Sequence, residues 1–281
     1  MAKRKVDLVV ISDVHLGTFG CRAEELYNYL KSIKPETLVL NGDIIDIWQF
    51  RKRYFPKSHL KVLKQIMSMA SKGTEVHYLT GNHDEFLRRF SDLKMGNINL
   101  ADKLLLPLAE GKAWFFHGDI FDTSIQSAKW LAKCGGWSYD LLIRINSILN
   151  WFLRKLGKEP YSFSKKIKNS VKKALSYIQS FEDAAAELAI EQGYKYVICG
   201  HIHQPQLRVV NNEKGACVYL NSGDWIENLT ALEYHEGHWE LYQHEKAPIA
   251  EEDTEQEEAL NDLNLERILK KVLANEEGIR I

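Results

Sequence analysis

Apolar residues in the first part of the chain come in short runs that stop at polar, turn-forming clusters. Residues 6–12 are mostly branched aliphatics and predict a buried strand ending at Asp13-Val14-His15. Gly17 and Gly20 loosen the loop that follows. Residues 22–32 then set Leu26, Tyr29, Leu30 and Ile33 near helical spacing, and Pro35 stops the helix. A second strand over 37–40 ends at Asn41-Gly42-Asp43. An aromatic and basic loop containing Trp48, Phe50, Arg51, Lys52, Arg53, Tyr54 and Phe55 leads into a helix over 59–72, closed by Gly73. Residues 76–79 predict a third strand, which runs into Thr80-Gly81-Asn82-His83-Asp84 and then the helix-forming residues 85–90. A fourth, over 113–116, ends at His117-Gly118-Asp119. Strands alternating with helical patterns at this pitch indicate βαβ units.

Beyond residue 121 the pattern is helical only, for roughly seventy residues. Trp130, Trp137, Trp151 and Phe152 belong to a strongly apolar helical hairpin with Gly135-Gly136 at its corner. Phe163, Ile167, Val171, Leu175 and Ile178 then step by about four residues down one face of a long helix. Its other face carries Lys165, Lys166, Lys168, Lys172 and Lys173. We expect an inserted helical cap over 121–180, dividing a core made of 1–120 and 181–245. Simple core packing with a solvated lysine face is the plainer account of the cap. Its many large apolar residues favour an exposed apolar groove. The sheet resumes over 196–199, ending at Gly200-His201-Ile202-His203, and over 218–221, ending at Ser222-Gly223-Asp224-Trp225. Residues 229–234 and 239–242, joined by Glu236-Gly237, read as an antiparallel hairpin. The remainder, 246–281, is an acidic tail with a terminal helix expected over 260–273.

The 281 residues, 45% hydrophobic, suffice for one large α/β domain with an elaboration. A formal net charge of −1 provides no global field for nucleic acid, which argues against a nuclease. Cys21, Cys134, Cys199 and Cys217 are spread without a CxxC pair, so neither a disulfide framework nor a thiolate zinc site is expected. The apolar run 6–11 is too short for a signal peptide and contains Asp7. No stretch approaches the roughly 20 apolar residues that span a bilayer. A soluble, cytoplasmic protein is expected.

The strand-end clusters bring together Asp13, His15, Asp43, Asn82, His83, His117, His201 and His203, all of metal-ligand or acid–base type. A lone buried histidine is commonly a hydrogen-bonded structural residue. Five such clusters, each placed after an apolar run where open α/β sheets carry their chemistry, argue against coincidence. Oxygen and imidazole donors in this mixture suit two divalent ions, manganese first, with iron, zinc and magnesium also compatible.

Asp13-x-His15, Gly42-Asp43, Gly81-Asn82-His83-Asp84, His117 and Gly200-His201-x-His203 resemble the five-block signature of the calcineurin-like metallophosphoesterases, with all five blocks intact. The resemblance implies a four-layer αββα sandwich, of α/β (α+β) class, with a two-metal centre at its strand ends. It implies that Asp13, His15 and His203 hold one ion, that Asn82, His117 and His201 hold the other, and that Asp43 bridges them. Two dications clamp a phosphate and lower the pKa of a bridging water, whose hydroxide attacks phosphorus in line. His83 would give a proton to the leaving oxygen or steady phosphoryl charge. Asp84 would hydrogen-bond His83 and fix its tautomer, and Asp119 would do the same for a ligand histidine. A non-catalytic scaffold on this fold would have a degraded metal site, whereas every block here is complete.

A narrower likeness covers nearly the whole chain. Phe181-Glu182-x-Ala184, Cys199-Gly200-His201-Ile202-His203-x-Pro205, His117-Gly118-Asp119-x-x-Asp122 and the stretch from Tyr219 through Gly223-Asp224-Trp225-Ile226-Glu227-Asn228 to Leu232 are similar to UDP-2,3-diacylglucosamine hydrolases and their close paralogues. That likeness implies cleavage of the pyrophosphate of a lipid-linked nucleotide sugar in lipid A biosynthesis, giving UMP and a lipid monophosphate. It also implies a small-molecule substrate rather than nucleic acid, and contact of the cap with the inner membrane surface. His83 is a departure, because the best-characterised branch has arginine there. The chain therefore looks more like a paralogous branch. Phosphoproteins and cyclic nucleotides are the alternative substrates.

Overall fold

The computed structural model describes residues 3–47, 55–121 and 163–245. The expected hairpin of the cap, the basic part of the loop at 48–54, Cys134 and the 246–281 tail lie outside the described residues. The chain runs β1 (Arg4–Ile11), α1 (Ala23–Ser32), β2 (Ile33–Asn41), α2 (Lys57–Ser71) and β3 (Glu75–Leu79). A 3-10 turn (Glu85–Phe90) and β4 (Lys94–Met95), β5 (Ile98–Ala101), β6 (Lys103–Leu108) and β7 (Gly111–Phe116) follow. A long helix, α3 (Phe163–Glu191), leads to β8 (Tyr196–Cys199), β9 (Gln206–Asn212), β10 (Gly215–Asn221), β11 (Thr230–His235) and β12 (His238–Gln243).

Two sheets form. One has the order β12-β11-β1-β2-β3-β5-β4 and the other β6-β7-β8-β10-β9. In each, a parallel centre is flanked by antiparallel rims: β1, β2, β3 and β5 run parallel in the first, and β7, β8 and β10 in the second. Strand alternation sorts the core into three slabs. Val9 and Ile11 of β1 face α1 and α2 with Leu26, Tyr29, Leu30, Val62 and Ile66, while Leu8 and Val10 face Phe115, Ile198 and Leu220 of the other sheet. On the far side of the second sheet, Phe181, Ala185, Ala186 and Ala189 of α3 cover Phe116, Val197, Cys199 and Tyr219. The layers are therefore helix, sheet, sheet, helix. Three alanines on its buried face let α3 approach the sheet closely.

The helices end for local reasons. Glu24 and Glu25 in the first turn of α1 and Lys31 in its last turn complement the helix dipole. Pro35 cannot extend α1, and it sits near the start of β2 opposite Val6. α2 closes where Gly73, at φ +101°, donates its N–H to Ala70. The expected cap boundary at 180/181 falls inside α3, which is continuous from Phe163 to Glu191. Residues 85–90, expected to be helix-forming, make a 3-10 turn.

Three further stretches, which the apolar pattern does not mark, are strands: β4 with β5, β6, and β9. The reason is placement. β4, β6 and β9 are rim strands with one side unpaired, so they need less apolar content; β6 even holds Pro107, and β9 carries Gln206, Arg208, Asn211 and Asn212. Cys21, Cys199 and Cys217 are buried free thiols. Among the described residues, no helix is long and apolar enough to cross a membrane.

One buried imidazole couples this packing to acidity. His59, on the inner face of α2, accepts the N–H of Gly17 at its Nδ1, 2.9 Å away. Burial pushes its pKa from 6.5 down to about 4. A folded-state pKa below the unfolded one means that the contribution is complete above 6.5 and fades as pH falls toward about 4. His59→Asn keeps an acceptor for Gly17 and removes the titration. We expect the wild-type advantage in urea-melt midpoint over H59N to shrink between pH 7 and pH 5.

Candidate metal centre

Every parallel strand that flanks the seam between the sheets delivers polar residues at its carboxyl end. β1 leads to Asp13 and His15, β2 to Asp43, β3 to Asn82, His83 and Asp84, β7 to His117, β8 to His201 and His203, and β10 to Asp224. Backbone bonds lace these turns together. Asp13 N–H donates to Gly42 O, His15 N–H to Asp43 O, Gly200 N–H to His117 O and Trp225 N–H to Asp13 O. Asp13, His15, Asp43, His201 and His203 all lie in the left-handed region, at φ 53°, 54°, 54°, 69° and 55°. Such conformations cost about 1–3 kcal/mol each in non-glycine residues, and here they coincide with the candidate ligands.

Each of the two central carboxylates divides its oxygens. Asp43 Oδ1 accepts the His83 N–H at 2.8 Å, while Oδ2 lies 3.2 Å from His117 Nε2, 3.9 Å from His15 Nε2 and 4.0 Å from His83 Nε2. Asp13 Oδ2 accepts the His201 N–H at 2.9 Å, and Oδ1 lies 3.1 Å from His203 Nε2. The space is made by glycines. A Cβ on Gly81 would stand 2.3 Å from Asp43 Oδ1, and one on Gly42, at φ +83°, would overlap the His117 ring.

The imidazoles are oriented from behind. His117 Nδ1 meets the carbonyl of Asn41 at 2.9 Å, so Nδ1 carries the hydrogen and Nε2 turns to Asp43. His83 Nδ1 lies 2.9 Å and His15 Nδ1 3.4 Å from Asp46 Oδ2. His203 Nδ1 faces Asp224 Oδ2 at 3.7 Å. His201 is the exception: its Nδ1 lies 3.3 Å from His117 Nε2. Three triads of ligand atoms result: Asp13 with His15 and His203, Asp43 with His117 and His201, and His15 with Asp43 and His83. Asn82, half-buried, sits on the turn between Gly81 and His83 that wraps Asp43.

Two expectations are corrected. Asp84 does not orient His83. Its Oδ1 accepts Gly81 N–H, and its Oδ2 accepts Ile44 N–H and the Tyr78 hydroxyl, so its carboxylate is spent on building the turn. Burial, reinforced by Asp43, raises its pKa. The carboxylate facing His83 is Asp46, three residues beyond Asp43. Asp119 is not aimed at a ligand histidine either; its Oδ2 is taken by Arg88 Nη2.

The electrostatics call for positive charge. Burial opposes ionisation of Asp43, yet His117, His15 and His83 hold it well below the usual carboxylate range. Asp13 is likewise lowered against its burial, chiefly by His203. Burial disfavours protonation of His117, but Asp43 and Asp13 raise it to about 10, and Asp13 raises His203 in the same way. Among the described residues, Asp13 Oδ1 and His15 Nε2 are buried without a hydrogen-bond partner. Lone pairs gathered in this way, with hard oxygen and borderline nitrogen donors, fit a pair of divalent cations.

Sequence comparison agrees with that chemistry. Relatives named UDP-2,3-diacylglucosamine hydrolase include one from Hahella chejuensis, 24% identical over 228 residues that cover 77% of this chain and 88% of that protein. Another, from Stenotrophomonas maltophilia, is 21% identical over 238 residues, covering 82% and 96%. An archaeal phosphodiesterase structure aligns with TM-score 0.41 at 14% identity, covering 84% of this chain and 98% of that one. The family model described as calcineurin-like phosphoesterase matches residues 6–205, a span that takes in every strand-end turn from Asp13 to His203. By that match the chain belongs to the calcineurin-like phosphoesterases, metal-dependent hydrolases of phosphoesters.

Proposed function

We propose that this chain hydrolyses the pyrophosphate of a lipid-linked nucleotide sugar of the UDP-2,3-diacylglucosamine type, to UMP and a lipid monophosphate. The observation that carries the hydrolysis is the meeting of two ligand triads, Asp13-His15-His203 and Asp43-His117-His201, at adjoining strand ends. The substrate class is supported by relatives whose alignments cover 88% and 96% of their own lengths. A lipid-linked substrate would place the work in the cytoplasm, at the inner membrane surface.

In this reading Asp13, His15 and His203 hold one divalent cation, Asn82, His117 and His201 hold a second, and Asp43 is shared. Manganese is the ion we favour, for the mixed oxygen and imidazole set. When bound, such a pair polarises phosphoryl oxygens and makes water a nucleophile at neutral pH. The side chains supply the rest. Asp46 holds His83 by Nδ1, which turns Nε2 toward the Asp43 side of the centre. Protonated there, His83 hands its proton to the leaving phosphate oxygen. The Gly81 and Ile44 amides and the Tyr78 hydroxyl fix Asp84, and Asp84 fixes the turn on which Asn82 and His83 ride.

Asp43→Ala removes the shared ligand. We expect manganese content to fall from two per chain toward zero and turnover of a chromogenic phosphodiester to vanish, with circular dichroism unchanged. Retained turnover rules the site out. UMP release from UDP-2,3-diacylglucosamine by the wild-type chain tests the substrate; activity on the chromogenic diester without it would leave a phosphoesterase of other specificity.

The corrected roles of Asp46 and Asp84 separate in kinetics. His83→Ala should lower kcat about 10²–10⁴-fold with both ions retained. Asp46→Asn should lower kcat about 10–100-fold, whereas Asp84→Asn should chiefly lower the melting temperature. An Asp46→Asn enzyme with wild-type kcat would show that Asp46 does not orient the acid.

A further inference from the structure

The Gly223-Asp224-Trp225 turn is used by nothing in the reaction described above, yet it is built around one buried carboxylate. Asp224 is 1% exposed. Its Oδ1 accepts three backbone N–H groups, from Ile226, Glu227 and Asn228, at 2.8, 2.6 and 3.1 Å. Its Oδ2 accepts the side-chain amide of Asn228 at 2.6 Å and lies 3.7 Å from His203 Nδ1. The Asn228 amide also donates to the His203 carbonyl, at 2.8 Å. One turn therefore bonds the His203 carbonyl and sets a carboxylate 3.7 Å from its ring, and the His203 backbone is in the left-handed region. The same turn reaches the other side of the triad, because Trp225 N–H donates to the Asp13 carbonyl at 3.1 Å.

We propose that Asp224 is a positioning residue for one ion only, the one held by Asp13, His15 and His203. The inference rests on the reading of His203 as a ligand. A carboxylate 3.7 Å from Nδ1 favours the hydrogen on that nitrogen, which leaves Nε2, 3.1 Å from Asp13 Oδ1, as the donor to a cation. The second triad has a different support: His117 is oriented by the Asn41 carbonyl, which Asp224 does not touch. The rings of His203 and His117 are thus backed by separate groups, which can be altered one at a time.

Asp224→Asn is the direct test. Its remaining oxygen can still accept the three backbone amides. Its new amide group would oppose both the Asn228 amide and the His203 Nδ1 hydrogen, which drives His203 toward the wrong tautomer. Titration of the metal-free protein with manganese should show two sites in the wild type. In D224N one site should weaken about 10–100-fold and the other stay unchanged. The paramagnetic resonance signature of a coupled manganese pair should give way to that of an isolated ion. Asn228→Ala, which keeps the carboxylate, should produce a smaller loss confined to the same site and serves if D224N does not fold. In a His203→Gln background, Asp224→Asn should add no further loss. Wild-type affinities at both sites in D224N, or equal weakening of both, would overturn the proposal. A wild-type chain that binds no manganese would overturn the ligand reading itself, and this inference with it.

Discussion

Two carboxylates and a ring of imidazoles packed at the ends of parallel strands make the demand that the rest of the molecule answers. Asp13 and Asp43 are almost wholly buried, and burying an ionised carboxylate is among the most costly things a fold can do. The cost is met locally by giving one oxygen of each to a backbone N–H and turning the other toward imidazole. That leaves a centre which is stable only with added positive charge, whether protons on His117 and His203 or a divalent ion. Protons and cations therefore compete for one set of lone pairs, and the fold is built so that the lone pairs have nowhere else to go.

Holding such a centre needs rigidity, which comes from the sheets. Five candidate ligands sit in a backbone conformation that L-residues avoid. A flexible loop would relax out of it. Here the turns leave strands buried on both faces and are tied to one another across the seam, as Asp13 is to Gly42 and Gly200 to His117. Close approach matters equally. Gly42 and Gly81 bring backbone within van der Waals reach of His117 and Asp43, so even a methyl group would displace a ligand. Sandwich and site are therefore a single mechanical object: the slab packed by Leu8, Val10, Phe115 and Ile198 sets the distance at which the two sets of strand ends face each other.

The sequence made the strand-end residues legible because their chemistry is unusual for turns and their position after apolar runs is regular. The central parallel strands were readable for the same reason: burial on both faces demands continuous apolar residues. Rim strands such as β6 and β9 were not, because a strand open on one side tolerates Pro107 or Asn211. The supporting carboxylates were hard to place because an acid carries no mark of what it faces. Asp84 adjoins His83 in sequence, and adjacency alone suggests a pair. The turn in fact folds Asp84 inward to three donors, and Asp46, distant in sequence, comes up behind the ring.

Residues that orient a ligand from behind are free to come from anywhere that the fold places within hydrogen-bond reach. The orienting group for His117 is a backbone carbonyl at the end of the neighbouring sheet's β2, which no side-chain substitution can remove. Those for His83, His15 and His203 are carboxylates, Asp46 and Asp224, each on a different turn. A carbonyl fixes a tautomer and adds little charge, whereas a carboxylate also stabilises the protonated ring. The division has a consequence for chemistry. A carboxylate lowers the cost of a proton on the ring it faces, as Asp13 and Asp224 together do for His203. His117, backed by a neutral carbonyl, owes its raised basicity to the carboxylates in front of it, the same ones that would bind a cation. A divalent ion set against those carboxylates would take over the charge that raises His117, so a proton and a cation compete at its Nε2. The groups behind the rings thus differ where the rings themselves are alike: a neutral carbonyl for His117, and a carboxylate for His83, His15 and His203.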